Sequence, residues 1–113
     1  MVVHYTDISK IRIPKRIMID FDDTLRDSHT GEPIESTIDA IKELKKLGYE
    51  IFIFSTRVVH GGSNFIYEWL EEFGIEVDDV TGKKFNAEYY IDDKAIRFED
   101  NWLQIVDFIK SKQ

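Results

Sequence analysis

Short apolar runs and helical apolar stripes take turns along most of this chain. Residues 16–21 read Arg-Ile-Met-Ile-Asp-Phe, an apolar run between Pro14 and an acidic cluster, which is the pattern of a buried strand. Residues 22–33 are polar, include Gly31 and Pro33, and predict a loop. From Ile34 to Gly48 the residues Ile34, Ile38, Ile41, Leu44 and Leu47 recur at helical spacing, with Lys42, Lys45 and Lys46 between them and Gly48 as the stop. Residues 50–54 predict a second buried strand, and 55–64, with Gly61 and Gly62, a loop. Ser63 or Asn64 is a candidate cap for a helix carrying Phe65, Ile66, Trp69, Leu70 and Phe73, which Gly74 ends. A weaker strand follows at 75–80, a turn from Gly82 to Ala87, and a strand at 88–92. The last helix is expected to start near Asp100 or Asn101 and to run through Trp102, Ile105, Val106 and Ile109.

The order is β-α-β-α-β-β-α. Such alternation predicts an α/β fold, a three-layer, doubly wound, mainly parallel sheet with helices on both faces. Right-handed crossovers leave few topologies. With 113 residues, the chain is expected to form a single domain, 1–113. Residues 1–13 are the least patterned and either add an edge strand or wrap the domain. Trp69, Trp102 and the helically spaced phenylalanines are expected in the core.

Composition narrows the chemistry. The chain is 42% hydrophobic and 33% charged, which excludes a disordered segment. It has no cysteine, which excludes disulfides and thiolate metal sites and fits a reducing, cytoplasmic setting. The beginning of the chain does not read as a signal peptide, and no stretch is long and apolar enough for a membrane span. The formal charge of -7 gives no general attraction to nucleic acid. A phosphate substrate therefore needs a bound cation or a local basic cluster.

In a parallel sheet, ligands bind at the carboxyl ends of the strands. Three predicted strands end there in polar groups: Asp20-Phe21-Asp22-Asp23-Thr24, Ser55-Thr56-Arg57 and Asp92-Asp93-Lys94. Carboxylates gathered on one edge repel one another unless something positive sits between them. A hard divalent cation with oxygen ligands, Mg2+, suits the set better than zinc, given the lack of cysteine and of nearby histidine. Asp20 and Asp22, two apart at a strand end, share a side, so that one can attack phosphorus while the other serves the leaving oxygen as proton donor. Ser55, Lys84 and the metal are candidates for positioning and neutralising the phosphate.

These residues resemble the haloacid dehalogenase superfamily of phosphohydrolases. The segment Asp20-Phe21-Asp22-Asp23-Thr24-Leu25 matches its first motif, Asp-x-Asp-x-Thr, with Asp23 where the family often has Gly. Ser55 matches the second motif, Lys84 (with Lys83 the close alternative) the third, and Asp92-Asp93 the fourth, in family order over residues 16–94. The resemblance implies that Asp20 is nucleophile and metal ligand and that Asp22 is general acid/base, binding metal through its backbone carbonyl. It implies that Asp93 is a further ligand with Asp92 beside it or sharing that role, that Ser55 is a hydrogen-bond donor to the phosphate, and that Lys84 is its counter-charge. Thr24, Thr56 and Arg57 are expected substrate contacts. The spaces between motifs are too short for a cap domain, so the chain resembles the capless class, whose members tend to act on large substrates or to oligomerise. A small phosphorylated substrate is the first expectation. A polynucleotide end is the second, because Ser55-x-Arg57 with the Asp pair is also similar to polynucleotide 3′-phosphatase domains. A homo-oligomer is a further possibility.

Other readings compete residue by residue. Asp20, Asp22 and Asp23 fail as a calcium loop because Leu25 and Gly31 stand where Gly and Glu are needed. Arg57, Lys94 and Arg97 are either surface charges or the local basic cluster. His4, His29 and His60 are expected in solvent. At the level of function, the rivals are a receiver-like signalling module and a catalytically silent binding domain on the same fold. A receiver carries its phosphorylated Asp at the end of a later, central strand, whereas the strand at 50–54 ends in Ser55-Thr56.

Overall fold

The strand β1 (Lys15–Asp20) lies inside the sheet, between β2 (Tyr49–Phe54) and β4 (Tyr89–Ile91), with β3 (Asp79–Thr81) outside β2. Every pairing is parallel, in the order β3-β2-β1-β4. The computed structural model describes residues 15–113, so residues 1–13, expected as an edge strand or a wrap, lie outside the described part. Three helices complete the fold: α1 (Thr37–Lys46), α2 (Ser63–Glu72) and α3 (Trp102–Ser111). The sheet and helices form the expected parallel α/β architecture, with α1 and α2 packed into one core with the same face of the sheet rather than helices seated on both faces, and no cap domain interrupts it among the described residues.

The unbroken apolar run of β1 has a direct cause: it is covered on both faces. Ile17 and Ile19, followed by Phe21, join Ile51 and Ile53 of β2 in one core with Leu25, Ile41, Ile66, Trp69, Leu70, Ile75 and Val80. Helix α1 packs on β2 and α2 on β3. Strand alternation puts Met18 and Phe52 on the other face. There Phe85, from the connection between β3 and β4, stands edge-on to Phe52 at 4.8 Å and points its N–H at the Met18 Sδ. The Arg16 guanidinium lies over both aromatic rings.

Boundaries differ from expectation where the chain has other hydrogen bonds to satisfy. Helix α1 starts at Thr37 rather than Ile34, because the Ile34 N–H is given to the Leu25 carbonyl and Ser36 takes a left-handed φ of 70°. Leu47 therefore falls beyond the helix and is exposed, not part of its buried stripe. Gly48 does end that element, at φ 94°. Neither Ser63 nor Asn64 caps α2. The cap position is Gly62, and no side chain bonds to the open N–H groups. Strand β3 is confined to Asp79–Thr81, because Ile75 is drawn back to the Leu70 carbonyl after Gly74.

The largest difference concerns α3. Trp102 is 66% exposed, not in the core, and Leu103, Val106, Phe108 and Ile109 are exposed beside it. The reason is that α3 packs against none of the other described elements; Ile105 is its one buried residue. Phe65 is also half-exposed, whereas Phe73 packs partly buried against the core as expected.

Trp69 joins the core to the loop after β1. Its ring stands edge-on to Phe21 at 5.2 Å, and its Nε1–H donates to the Gly31 carbonyl at 2.7 Å. Trp69→Ala should cost about 3–5 kcal/mol, the usual loss for a large buried aromatic. Trp69→Phe should cost about 1–2 kcal/mol, mainly through the unpaired carbonyl. Urea denaturation reads both; a Trp69→Phe loss near zero would show that the hydrogen bond to Gly31 contributes nothing.

Candidate active site

Register brings the polar strand ends together. Asp20 pairs with Phe54, so Ser55 is one step past Asp20 on the neighbouring strand. Ile19 pairs with Ile91, which sets Asp92 level with Asp20 on the other side. A cleft of about 330 Å³ opens at this edge, lined by Asp20, Asp22 and Asp23 from the first strand end, Phe54, Ser55 and Thr56 from the second, and Asp92, Asp93 and Lys94 from the fourth.

One carboxylate oxygen from each of Asp20, Asp92 and Asp93 lies within 4.8 Å of the others. Burial, with the neighbouring carboxylates adding to it, pushes the Asp20 pKa up to about 6. Partial burial is the largest cause and the Asp92 charge the next; Asp93 adds to it, and the Phe21 N–H opposes it. Three hard oxygen donors at this spacing fit a small divalent cation. The Asp92 Oδ1 is steadied by the Lys94 N–H at 2.7 Å.

Asp22 has different partners. Its carboxylate receives Arg57 Nε at 2.7 Å on Oδ2 and Arg57 Nη2 at 3.2 Å on Oδ1, with Arg26 Nη1 at 3.3 Å. Its side chain is outside the three-carboxylate cluster. The hydrogen bonds to Asp22 hold Arg57 above its ordinary pKa, against the effect of burial. The loop that aims Asp22 is wound round one carbonyl, Phe21 O, which accepts from the N–H groups of Thr24, Leu25 and Arg26. Asp23 takes the left-handed φ of 61° this winding needs, a conformation that suits glycine and that aspartate tolerates. Its Oδ1 accepts the Ser28 N–H at 2.9 Å, and the Ser28 side chain first, then this N–H, lower the Asp23 pKa.

Ser55 is buried, its N–H given to the Thr81 carbonyl and its Oγ accepting the Arg57 N–H at 3.1 Å. Lys84 lines a small recess with Asp20, Phe54 and Asp92, its ammonium 5.3 Å from the Phe54 ring. Lys83 does not line it; its backbone is tied to the Thr81 hydroxyl. Thr56 lines the main cleft, whereas Thr24 and Arg57 do not. The Thr24 hydroxyl is buried without a partner. Lys94 also lines the cleft, while Arg97 pairs with Glu99 at 2.7 Å elsewhere on the surface. His29 and His60 are exposed and outside the cleft, and His4 lies outside the described residues. Arg26 is the site residue that sequence reasoning missed; its position four after Asp22 was the available signal.

A parallel α/β sheet with a carboxylate cluster at its carboxyl edge defines the class by architecture, a Rossmann-like fold with an acidic site at the strand ends. The haloacid dehalogenase-like hydrolase family matches residues 17–113, and the chain belongs to that family. In three dimensions it is similar to a conserved protein from Bacteroides thetaiotaomicron, with a TM-score of 0.58 and 22% identity over 89% of this chain and 93% of that one, a likeness of fold. None of the curated protein sequences compared with the chain matches it significantly. No helix among the described residues is long and apolar enough to cross a membrane.

Because the Asp20 pKa is raised toward 6, the folded, cation-free protein binds this proton more tightly than the unfolded chain does. The favourable contribution is complete below about pH 4 and is lost as pH rises through about 6. Asp20→Asn should therefore be more stable than wild type near neutral pH, by on the order of 1 kcal/mol because the group is partly exposed and screened. The advantage should vanish near pH 4. Urea denaturation in chelator at the two pH values checks this, and an advantage that does not change with pH would contradict it.

Proposed function

We propose that the protein is a Mg2+-dependent phosphomonoester hydrolase working through an aspartyl-phosphate on Asp20, with residues 1–113 as one domain. The observation that carries this reading is the strand register that sets Asp20 beside Asp92 and Asp93, one step from Ser55 and next to Lys84. Asp20, Asp92 and Asp93 would hold the cation through carboxylates and Asp22 through its backbone carbonyl. When bound, the cation supplies charge neutralisation for the carboxylates and the phosphate.

The chain's own groups account for the rest. An Asp20 oxygen attacks phosphorus, the bond from phosphorus to the ester oxygen breaks, and a proton from the Asp22 carboxyl goes to that oxygen, releasing an alcohol. Asp22 then takes a proton from water as the water oxygen attacks phosphorus, which frees Asp20 and inorganic phosphate. The Ser55 hydroxyl, whose oxygen already accepts from the Arg57 N–H, still has its proton to donate to a phosphate oxygen. The position of Lys84 favours it over Lys83 as the phosphate's cation. Thr56 and Lys94, on the cleft wall, are placed to meet the rest of a substrate.

A small phosphomonoester, such as a nucleotide or sugar phosphate, suits this cleft best. The net charge of -7 disfavours a long polynucleotide, leaving a 3′-phosphate end as the second choice. The remaining expectations, a cytoplasmic location and self-association, are consistent with this reading.

Phosphate release from a panel of phosphomonoesters, with and without magnesium, tests the proposal. Turnover should need the cation. Asp20→Asn should lower it by on the order of 10⁴-fold or more, as for loss of a nucleophile. Asp22→Asn should lower it by about 10²–10⁴-fold, as for loss of a general acid/base. A folded, magnesium-binding protein inactive on every ester would overturn the reading.

A further inference from the structure

The Ser55–Gly62 turn is built tightly around Arg57. The Arg57 N–H donates to Ser55 Oγ at 3.1 Å, and the Arg57 carbonyl accepts from His60 N–H at 3.1 Å and Gly62 N–H at 2.6 Å. A Cβ on residue 62 would stand 2.8 Å from that carbonyl oxygen, so the turn closes on Arg57 only with glycine there. Beyond the backbone, the guanidinium lies 4.7 Å from the centre of the Phe65 ring, and Phe65 is in turn edge-on to buried Phe21. From this support the guanidinium meets Asp22 side-on, one N–H to each carboxylate oxygen. Arg26 approaches the same carboxylate and the same ring, at 5.3 Å.

A partly exposed ion pair contributes only about 0–1 kcal/mol to stability. Stability is thus a weak reason for so much support beneath one arginine. A two-point contact does fix orientation. Asp22 begins the loop after β1, and among the described side chains only Arg57 and Arg26 hold its carboxylate; without Arg57 the single, longer contact from Arg26 remains, which does not fix the angle of the carboxylate.

We infer that Arg57 is a positioning residue: it holds the Asp22 carboxyl at the angle from which a proton passes to and from the cleft, rather than binding the substrate phosphate itself. This rests on the phosphatase reading and adds to it a physical link between the turn after β2, which carries Ser55, and the loop after β1. The two strand ends are thereby fixed to each other through side chains as well as through the sheet.

The test compares two esters in magnesium: p-nitrophenyl phosphate, whose leaving group departs without a proton, and an alkyl phosphate, whose leaving group needs one. For Arg57→Met, kcat/KM on the alkyl ester, which reports the step that releases the alcohol, should fall by roughly 10- to 100-fold, the scale of a misplaced catalytic group. On the aryl ester kcat/KM should fall only a few-fold, with KM no higher, and Arg57→Lys should recover part of the loss on the alkyl ester. In an Asp22→Asn background, Arg57→Met should cost almost nothing more. A rise in KM shared by both esters would make Arg57 a phosphate ligand and overturn the inference. So would equal losses of kcat/KM on both esters, or a full additional loss in the Asp22→Asn background. A wild-type protein inactive on both esters would instead overturn the phosphatase reading and this inference with it.

Discussion

Three carboxylate oxygens within 4.8 Å, two of them on partly buried side chains, work against the fold that gathers them. Their mutual repulsion in a medium less polar than water favours a bound proton or a bound cation. The sheet enforces the arrangement regardless, because Asp20 belongs to a strand paired on both sides and covered on both faces. Moving Asp20 away from Asp92 would mean slipping β1 against β4, and a one-residue slip would turn Ile17 and Ile19 out of the core. The hydrophobic pattern of β1 thus holds the acidic site together, and the site in turn gives the open edge of the sheet its affinity for positive charge.

This coupling explains why so much of the site was legible in the sequence. The apolar runs at 16–21, 50–54 and 88–92 located three strands, and parallel pairing then had to bring their polar ends to one edge. Asp20, Ser55, Asp92 and Asp93 followed from that alone, and the motif order gave the family. The choice of Lys84 over Lys83 did not follow, since both are in one short connection and only folded geometry shows which one lines the recess with Asp20.

What was not legible depended on contacts without a sequence period. Ile34 fits the stripe of α1, yet its N–H is used by Leu25, a partner from the preceding loop. Trp102, Val106 and Ile109 have the spacing of a buried helix face, but spacing says only that a face is apolar, not that something covers it. Ser63 and Asn64 are good cap residues by type; the close turn around Arg57 instead ends in Gly62, where a side chain would meet the Arg57 carbonyl. In each case a local rule gave way to a hydrogen bond or a steric limit set from elsewhere in the chain.

Two aspartates two residues apart, alike in the sequence, therefore meet opposite surroundings. Asp20 is partly buried and faces other carboxylates, so its pKa rises toward 6 and its charge calls for a cation from solution. Asp22 faces Arg57 and Arg26, so its charge is balanced by the chain itself. The separation arises at Phe21, whose buried side chain fixes the strand end while its carbonyl winds the next residues into a turn, carrying the Asp22 side chain out of the acidic cluster and toward Arg57 in the turn after β2. One residue between the pair is enough to give them different neighbours. Different neighbours are what set two chemically identical groups apart electrostatically in one cleft.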